Sequence, residues 1–393
     1  MTNPVRNRQQ KELYPGRHGN SFELLVDGPS FFSEMLDAIA TAEKYIFLEQ
    51  YLVSSGAIAT EFIRALEKAG HRGVKAYCLF DDYGCQGLNR KDRQKLFEAG
   101  IQLHFCNPLR LKNWHYALFR NHRKLLLADG ETAFVGGSGL TDDFWSIDSP
   151  LTSWHDVMVK VKGPILQDWH HAFQVSWRHF TGNSLSIPAP KPAQQPEDQL
   201  GQVLTNEPLL HNINRFTFKH IQLAKKSIWI ATPYFVPTSK LRRRLRRAAM
   251  KGIDVRLLLA GDRSDHLWVT HAARRHYSRL LRNGVRIFEY QPRFIHAKIV
   301  LCDDWASIGS SNLDRWNQRW NLDANQGVED KSFARAVRAM LMTDFDHSRE
   351  IDLTTWSRRS FWQQSFEWGL GHLIAALERI GRYLPRRWKK PPN

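Results

Sequence analysis

The feature that most constrains the fold of this chain is an internal repeat with a period of roughly 180 residues. Each copy opens with an apolar strand, YIFLEQYLV at 45–53 and IWIATPYFV at 228–236. In both copies a helical pattern, a glycine turn and a second apolar strand follow in the same order. Strands that alternate with helices across short turns predict an α/β fold, in which a mixed, mostly parallel sheet is flanked by helices and built twice.

The repeat divides the chain into five predicted segments. Four prolines in IPAPKPAQQP at 187–196 are incompatible with a helix or a central strand and indicate a linker. The predicted segments are an N-terminal tail over 1–20, a first repeat over 21–182, a Pro-rich linker over 183–205, a second repeat over 206–354 and a basic, aromatic C-terminal segment over 355–393.

Each repeat carries one H-x-K-x-x-x-x-D motif, in HRKLLLAD and in HAKIVLCD. On a strand, residues i and i+2 project from the same face, so His and Lys would lie together above the buried LLLA and IVLC. The aspartates fall at the strand ends, where we expect them to bind turn amides rather than substrate. The predicted catalytic motif comprises His122, Lys124 and Asp129, and His296, Lys298 and Asp303.

Convergence of the two motifs would suit a phosphate diester. If the repeats pack about a pseudo-twofold axis, two imidazoles and two ammonium groups meet in one pocket at their interface. One neutral histidine can attack phosphorus and form a phosphohistidine, while the other, protonated, donates to the leaving alkoxide. The lysines would bind the non-bridging oxygens. A symmetric repeat does not distinguish the histidines; our hypothesis takes His122 as the nucleophile and His296 as the general acid.

A metal site is not expected, because a lysine two residues from each histidine would repel a cation, and the sequence has no H-E-x-x-H. The four cysteines lie far apart without C-x-x-C spacing. They predict neither a zinc site nor a disulfide framework, and favour a reducing, intracellular location.

Further residues are candidates for contact with the substrate. Ser138 in GGSG, and Ser311 and Asn312 in GSSN, could donate hydrogen bonds to phosphate oxygens. Tyr234 stands at a strand end, where ligands bind in α/β sheets, although core packing explains it equally well. Glu49 has a similar place in the first repeat and could orient a histidine. Asp156 in WHD could be a partner of an imidazole or a surface turn residue.

The charge balance points to a polyanionic partner. Lys and Arg number 56 against 39 Asp and Glu, which gives a net charge of +17 and suits nucleic acid or an anionic membrane. The basic helix over 241–251 could bind anionic head groups or be a solvated face. The C-terminal segment has the composition of an interfacial amphipathic helix, and the alternative is a terminal helix that covers the core.

The sequence also argues against a segment that crosses a membrane. The polar N-terminus does not resemble a signal peptide, and no run of 18 apolar residues predicts a transmembrane helix.

Several longer motifs resemble a known family. HRKLLLAD with GGSG, SWHDVMVKVKGP, TPYFVP, and IHAKIVLCD with GSSNLD and NLDAN resemble the phospholipase D superfamily and, within it, the bacterial cardiolipin synthases, over about 20 to 350. The chain is similar to their short B-type form, which lacks two N-terminal transmembrane helices. Two departures concern the substrate site: Gly139 stands where the family usually has Asn, and Asp323, which we count among the substrate-binding residues, stands where it usually has Glu.

The resemblance implies two phospholipase D-like α/β/α sandwich domains related by pseudo-twofold symmetry, with the active site between them. It implies transfer of a phosphatidyl group from one phosphatidylglycerol to another, giving cardiolipin and glycerol through a phosphatidyl-histidine, without a metal or organic cofactor.

Three questions stay open at this stage. The acceptor is phosphatidylglycerol or phosphatidylethanolamine. Attack by water would make the enzyme a phospholipase D hydrolase, and a nuclease acting on nucleic acid is the more distant alternative. The implied location is the cytoplasmic face of the inner membrane, as a peripheral protein; nucleic acid is not the expected partner, and a dimer is not required because both motifs lie in one chain.

Overall fold

The computed structural model describes residues 14–108, 119–145, 152–207, 210–265, 267–314, 320–360 and 369. The first repeat folds as one sheet with helices on both faces. Its elements are β1 (Arg17–Val26), α1 (Asp27–Thr41), β2 (Tyr45–Gln50), α2 (Ala57–His71), β3 (Lys75–Asp81), α3 (Arg90–Glu98), β4 (Gln102–Cys106), β5 (Arg120–Asn121), β6 (Leu125–Ala128), β7 (Thr132–Gly136), β8 (Val157–Lys162) and α4 (Leu166–Thr181).

The second repeat follows the same order of elements. Its elements are β9 (Gln199–Glu207), β10 (Leu210–His211), α5 (Asn212–Leu223), β11 (Ser227–Thr232), α6 (Ser239–Ala249), β12 (Asp254–Ala260), α7 (Leu267–Arg274), α8 (Tyr277–Leu281), β13 (Arg286–Tyr290), β14 (Ile299–Cys302), β15 (Trp305–Gly309), β16 (Asn321–Glu329), α9 (Lys331–Asp346), β17 (Ser348–Glu350) and α10 (Leu353–Ser357).

The two sheets have matching strand orders. The first runs β1-β8-β7-β6-β2-β3-β4, and the second runs β9-β16-β15-β14-β11-β12-β13-β17. Both sheets are mixed, as predicted, but the prediction that they are mostly parallel is wrong. Within the two sheets, as far as the structure describes them, parallel pairing is limited to β2-β3-β4 and β11-β12-β13. Tight turns after β6 and β14 give antiparallel hairpins with β7 and β15, and the motif strands also run antiparallel to β2 and β11.

Successive side chains of the strands face two different hydrophobic cores. In β2, Tyr45 and Phe47 face a central core, whereas Ile46 and Leu48 face the outer helices α1 and α2. The central core contains residues of both sheets together with α4 and α9, so the two repeats share it. A third cluster lies under α5, α6 and α8, on the outer face of the second sheet. The layers are therefore outer helices, sheet, shared central core, sheet and outer helices.

Strand pairing also joins the repeats directly. β1 pairs with β8 in the first sheet, and Arg17 and Asn20 of the same strand pair with Gly201 and Gln199 of β9. The end of the predicted 1–20 tail is thus part of β1, and the last residues of the predicted 183–205 linker are part of β9. Local alternation is too short at these places to reveal strands, because their pairing partners are distant in sequence.

Most of the predicted C-terminal segment, 361–368 and 370–393, and residues 1–13 of the predicted tail lie outside the described residues. Over the described part, none of the helices combines the length and the apolar character needed to cross a bilayer.

Candidate active site

The motif aspartates anchor the strands that carry the site. Asp129, directly after β6, accepts hydrogen bonds from the backbone amides of Glu43, Lys44 and Tyr45 at 2.7–2.8 Å. Asp303, after β14, accepts the equivalent bonds from 225–227 at 2.7–3.0 Å. Both aspartates have a left-handed backbone, with φ of 54° and 51°. As expected, their carboxylates bind backbone amides, and they hold each motif strand beside the central strand of its sheet.

The histidines and lysines lie just before the strands rather than within them. β6 begins at Leu125 and β14 at Ile299, so His122, Lys124, His296 and Lys298 occupy extended segments that lead into the sheet. The backbone amides of the two histidines bond to the opposite repeat instead. The four strand residues that follow each motif lysine are buried, as predicted.

The first histidine is held by the second repeat. β5 pairs in parallel with β16, and the amide of His122 donates to the carbonyl of Leu322 at 2.9 Å. Nδ1 of His122 lies 2.9 Å from Oδ1 of Asp323, which also accepts a hydrogen bond from Ser310 at 2.9 Å. When Nδ1–H donates to this carboxylate, the lone pair of the neutral ring is on Nε2.

The second histidine is held by the first repeat. The amide of His296 donates to the carbonyl of His155 at 2.7 Å, and Nδ1 of His296 lies 2.7 Å from Oδ2 of Asp156. The two carboxylates are equivalent, since Asp156 and Asp323 each stand two residues before the strand residue that faces Gly136 or Gly309. Each imidazole is thus oriented by a carboxylate of the other repeat.

Both motif lysines are buried beside their histidines. Lys124 donates to the carbonyl of His122 at 2.9 Å, and its Nζ lies 5.0 Å from the centre of the Tyr51 ring. Lys298 also donates to the carbonyl of its histidine, and its Nζ lies 3.0 Å from Nε2 of His296. Burial lowers the pKa of Lys298 to about 8 and holds the pKa of Lys124 well below its usual range.

Burial and the lysines also keep the imidazoles neutral. Burial, then the charge of Lys124, lowers the pKa of His122 to about 4, and Lys298 of the other repeat contributes. Burial and Lys298 lower the pKa of His296 to about 3, and Lys124 contributes. The charge of each motif lysine therefore affects the protonation of both motif histidines. A bound anionic phosphate would offset the lysine charges and permit a proton on one imidazole.

Aromatic side chains pack against both motif histidines. Tyr51 meets His122 edge-on with ring centres 4.7 Å apart. Phe144 and Trp154 lie 5.2 Å and 5.4 Å from His296, measured between ring centres. The sequence analysis quoted Trp154 within WHD and Tyr51 within YIFLEQYLV but assigned no role to either ring.

The predicted phosphate-binding turns differ in how their polar groups are used. Ser138 donates to the carbonyl of Gly139 at 3.0 Å. Ser311 Oγ and Asn312 Oδ1 are buried and have no hydrogen-bond partner among the residues that the structure describes. Since buried polar atoms are nearly always paired in a folded protein, these two are available to a ligand.

The remaining candidates lie further from the motif pairs. Glu49 is fully buried and accepts from Asn121 at 2.8 Å, so the structure connects it to the residue before His122 rather than to an imidazole. Burial raises the pKa of Glu49. Tyr234 donates to Asp265, and its ring lies 6.3 Å from Phe294, which in turn lies 6.0 Å from His296. Asp323, predicted to bind substrate, instead contacts His122.

Another buried histidine, His155, braces the same region. Nδ1 of His155 lies 2.8 Å from Asp27 and its Nε2 lies 3.2 Å from Asp344, one carboxylate from each repeat. Arg293 also contacts Asp27 and lies 3.3 Å from Nδ1 of His155. Although burial opposes it, hydrogen bonds to the two carboxylates raise the pKa of His155 to about 9. The sequence analysis missed this residue, whose partners are distant along the chain.

Two α/β repeats that share a core and exchange orienting carboxylates across paired histidines and lysines define a phospholipase D-type fold and site. The profile of the family described as "Cardiolipin synthase, PLD-like domain" matches residues 35–177 and 218–345, which include both motifs. Cardiolipin synthase A of Pseudomonas aeruginosa is 33% identical over 350 residues, covering 88% of this chain and 71% of that protein. A probable cardiolipin synthase of Bacillus subtilis is 29% identical over 337 residues, covering 84% and 67% of the two chains.

Solved structures agree on the fold. The phosphatidylserine synthase of Haemophilus influenzae superposes with a TM-score of 0.65 at 13% identity, over 91% of this chain and 93% of that one. A polyphosphate kinase from Porphyromonas gingivalis superposes with a TM-score of 0.53 at 14% identity, over 82% and 50%. The chain belongs to the phospholipase D-like family of cardiolipin synthases. It is accordingly a phosphatidyltransferase.

Proposed function

We propose that the enzyme makes cardiolipin from two molecules of phosphatidylglycerol and releases glycerol. The observation that carries this proposal is the crossed pairing of His122 with Asp323 and of His296 with Asp156, which leaves two neutral imidazoles beside two lysines. The similarity to cardiolipin synthases along most of the chain supports the choice of lipid.

In the first half-reaction, Nε2 of His122 attacks the phosphorus of one phosphatidylglycerol. A P–N bond forms and the P–O bond to the head-group glycerol breaks. The glycerol alkoxide takes a proton from Nε2 of His296, which holds that proton once the bound phosphate offsets the lysine charges. Lys124 and Lys298 bind the non-bridging oxygens, and the unpaired groups of Ser311 and Asn312 are suited to the same anion. The product is a phosphatidyl-His122 and free glycerol.

In the second half-reaction, the now neutral His296 accepts the proton of a head-group hydroxyl of the second phosphatidylglycerol. The hydroxyl oxygen attacks phosphorus, the P–N bond breaks and cardiolipin leaves, with His122 restored. Water in place of the second lipid would give phosphatidic acid.

The assignment of His122 as nucleophile is supported by its free nitrogen. Nε2 of His122 has no hydrogen bond to the described residues, whereas Nε2 of His296 is 3.0 Å from the Lys298 ammonium, which can supply a proton to it. The first nitrogen is free to attack and the second is placed beside a proton donor.

Because the proposed substrates are phospholipids, we expect the enzyme to act at a membrane surface. We propose a peripheral protein at the cytoplasmic face of the inner membrane, supported by the likeness to cardiolipin synthases.

The proposal is tested with phosphatidylglycerol vesicles in EDTA and mass analysis of the lipids. We expect cardiolipin and glycerol from the wild type and from His18→Ala, a control at an exposed histidine, and neither product from His122→Ala or His296→Ala. Phosphatidic acid in place of cardiolipin would make the enzyme a hydrolase. Cleavage of DNA without any lipid product would refute a lipid substrate.

The two histidine roles are separated by a phosphatidyl donor with a p-nitrophenol leaving group, which needs no acid to depart. In His296→Ala this donor should leave a phosphatidyl adduct on His122, because the base for the second half-reaction is missing. An adduct on His296 in His122→Ala, and none in the other variant, would reverse the roles.

A further inference from the structure

The outer helices of the second repeat are rich in basic residues. The segments that contain α5, α6 and α8, over 210–226, 238–252 and 275–286, include fifteen Lys and Arg and no Asp or Glu. We call their exposed cations the basic face, leaving out Arg286, which is paired with Glu350 at 2.7 Å. These helices cover the third hydrophobic cluster, so the basic face is the outer side of that layer.

The charges of α6 follow the helical period. Lys240, Arg243, Arg247 and Lys251 are exposed, with Met250 beside the last of them, at spacings of three and four residues. The opposite side of the helix, Leu241, Leu245 and Ala248, is buried in the core. The basic residues thus lie on the solvent side of an ordinary amphipathic helix.

The first repeat shows that the fold does not require this charge. α2 follows β2 as α6 follows β11, and α2 balances Arg64 and Lys68 with Glu61 and Glu67. Arg64 and Glu61 form an ion pair of 2.7 Å. The equivalent helix α6 contains no acidic residue.

The clustering of cations on α6 costs electrostatic free energy, because like charges repel one another. Arg243, Arg246 and Arg247 form no ion pair with the residues that the structure describes. Burial together with repulsion from Arg279, Arg243 and Arg247 lowers the pKa of Arg246. A cluster of like charges without counter-ions is stabilised when an anionic surface binds to it.

We propose that the basic face docks the enzyme on a bilayer that carries anionic phospholipid head groups. Two exposed apolar side chains favour a bilayer over a nucleic acid: Leu223 at the end of α5 and Met250 after α6 are 59% and 71% exposed. Apolar side chains among cations suit the boundary between head groups and acyl chains, whereas single-stranded nucleic acid is bound on aromatic platforms. The choice of lipid also rests on the proposed function.

Docking on this face places the bilayer beside the catalytic edge of the sheet. Ala231 near the end of β11 pairs with Ile299 at the start of β14, so His296 and Lys298 lie beyond the carboxyl end of β11. α6 begins at Ser239, after the short segment that leaves this edge, and runs back along the sheet. The basic face therefore begins at the carboxyl end of β11, next to His296 and Lys298, and extends along α6 toward the opposite end of the sheet.

The test compares two triple substitutions that remove equal charge. Arg243→Gln, Arg247→Gln and Lys251→Gln act on the basic face. The control carries Arg64→Gln, Lys68→Gln and Lys91→Gln, all exposed and all in the first repeat. Partitioning is measured by co-sedimentation with vesicles of phosphatidylglycerol and phosphatidylcholine, and with phosphatidylcholine alone, at 100 mM salt. Activity is measured on short-chain phosphatidylglycerol dispersed below its micelle concentration.

Each cation near an anionic surface contributes roughly fivefold to partitioning, so we expect the basic-face triple to lose about 100-fold on mixed vesicles. The control should lose little, and both triples should retain wild-type activity on dispersed lipid. Equal losses for the two triples, or no loss for the basic-face triple, would overturn the docking proposal. Loss of DNA binding with unchanged vesicle binding would assign the face to nucleic acid. Vesicle docking without activity on dispersed lipid would refute the proposed function alone.

Discussion

Replacing His155 by Gln should make the stability of the protein respond differently to pH. His155 is 3% exposed and bridges Asp27 of the first repeat and Asp344 of the second, with Arg293 as the other nearby charge. In the folded protein its pKa is raised to about 9. Glutamine keeps a hydrogen-bonding side chain at this position but supplies no positive charge to the two carboxylates.

The magnitude follows from the pKa difference between the folded and unfolded states. The ordinary value is 6.5 and the folded value is about 9, and one pKa unit corresponds to about 1.4 kcal/mol. The imidazolium therefore contributes about 3 kcal/mol to the free energy of unfolding. Because the folded pKa is the higher one, this contribution is complete below about pH 6.5 and is lost as the pH rises through about 9.

The assay is urea unfolding of the wild type and His155→Gln from pH 6 to pH 10. The difference in unfolding free energy should shrink by about 1.4 kcal/mol per pH unit between the two pKa values, leaving only the lost packing and hydrogen bonds above pH 9. His347→Gln, which replaces an exposed histidine just after α9, is the control for the loss of an imidazole. A wild-type-minus-variant difference that stays constant with pH would refute the assignment of charge to His155.

Three further outcomes are expected. Asp323→Asn and Asp156→Asn should each lower kcat on phosphatidylglycerol by about 100- to 10,000-fold with the circular dichroism spectrum unchanged, because the imidazole loses its orienting carboxylate; a decrease below tenfold would contradict that role. The pH profile of kcat/KM should fall below about pH 4, where His122 gains a proton, and above about pH 8, where Lys298 loses one, and an acid limb near 6.5 would be inconsistent with the buried site. Asp303→Ala should lower the free energy of unfolding by about 3 kcal/mol, since three amides lose their acceptor, and a thermal melt equal to that of the wild type would contradict this.

The repeat and its periodicity were sufficient to predict the paired α/β architecture, because strands and helices leave different apolar periods in the sequence. The apolar runs after each motif lysine were correctly predicted to be buried. The direction of the strands was not predicted correctly, because an apolar run does not show which way its strand runs relative to its neighbours. The hairpins at Asp129 and Asp303 are two of the antiparallel pairings that the sequence analysis missed.

The partners of the catalytic motif were beyond sequence reasoning for a different reason. Asp156 was recognised as a possible partner of an imidazole, and Asp323 was assigned to the substrate. Which carboxylate meets which histidine depends on how the repeats dock, and the spacing of 201 residues between His122 and Asp323 carries no local signal. The one available clue was the repeat itself, because both aspartates hold the same position relative to the strand that follows the motif hairpin.

The crossed pairing has a consequence for a chain that is only partly folded. A single repeat contains a histidine and a lysine, but the carboxylate that would orient its imidazole belongs to the other repeat. Under the proposed mechanism, a newly made or damaged chain with one half folded lacks an oriented nucleophile, and we expect it not to cleave phospholipids. We therefore expect reactivity to appear only when both repeats are folded and docked.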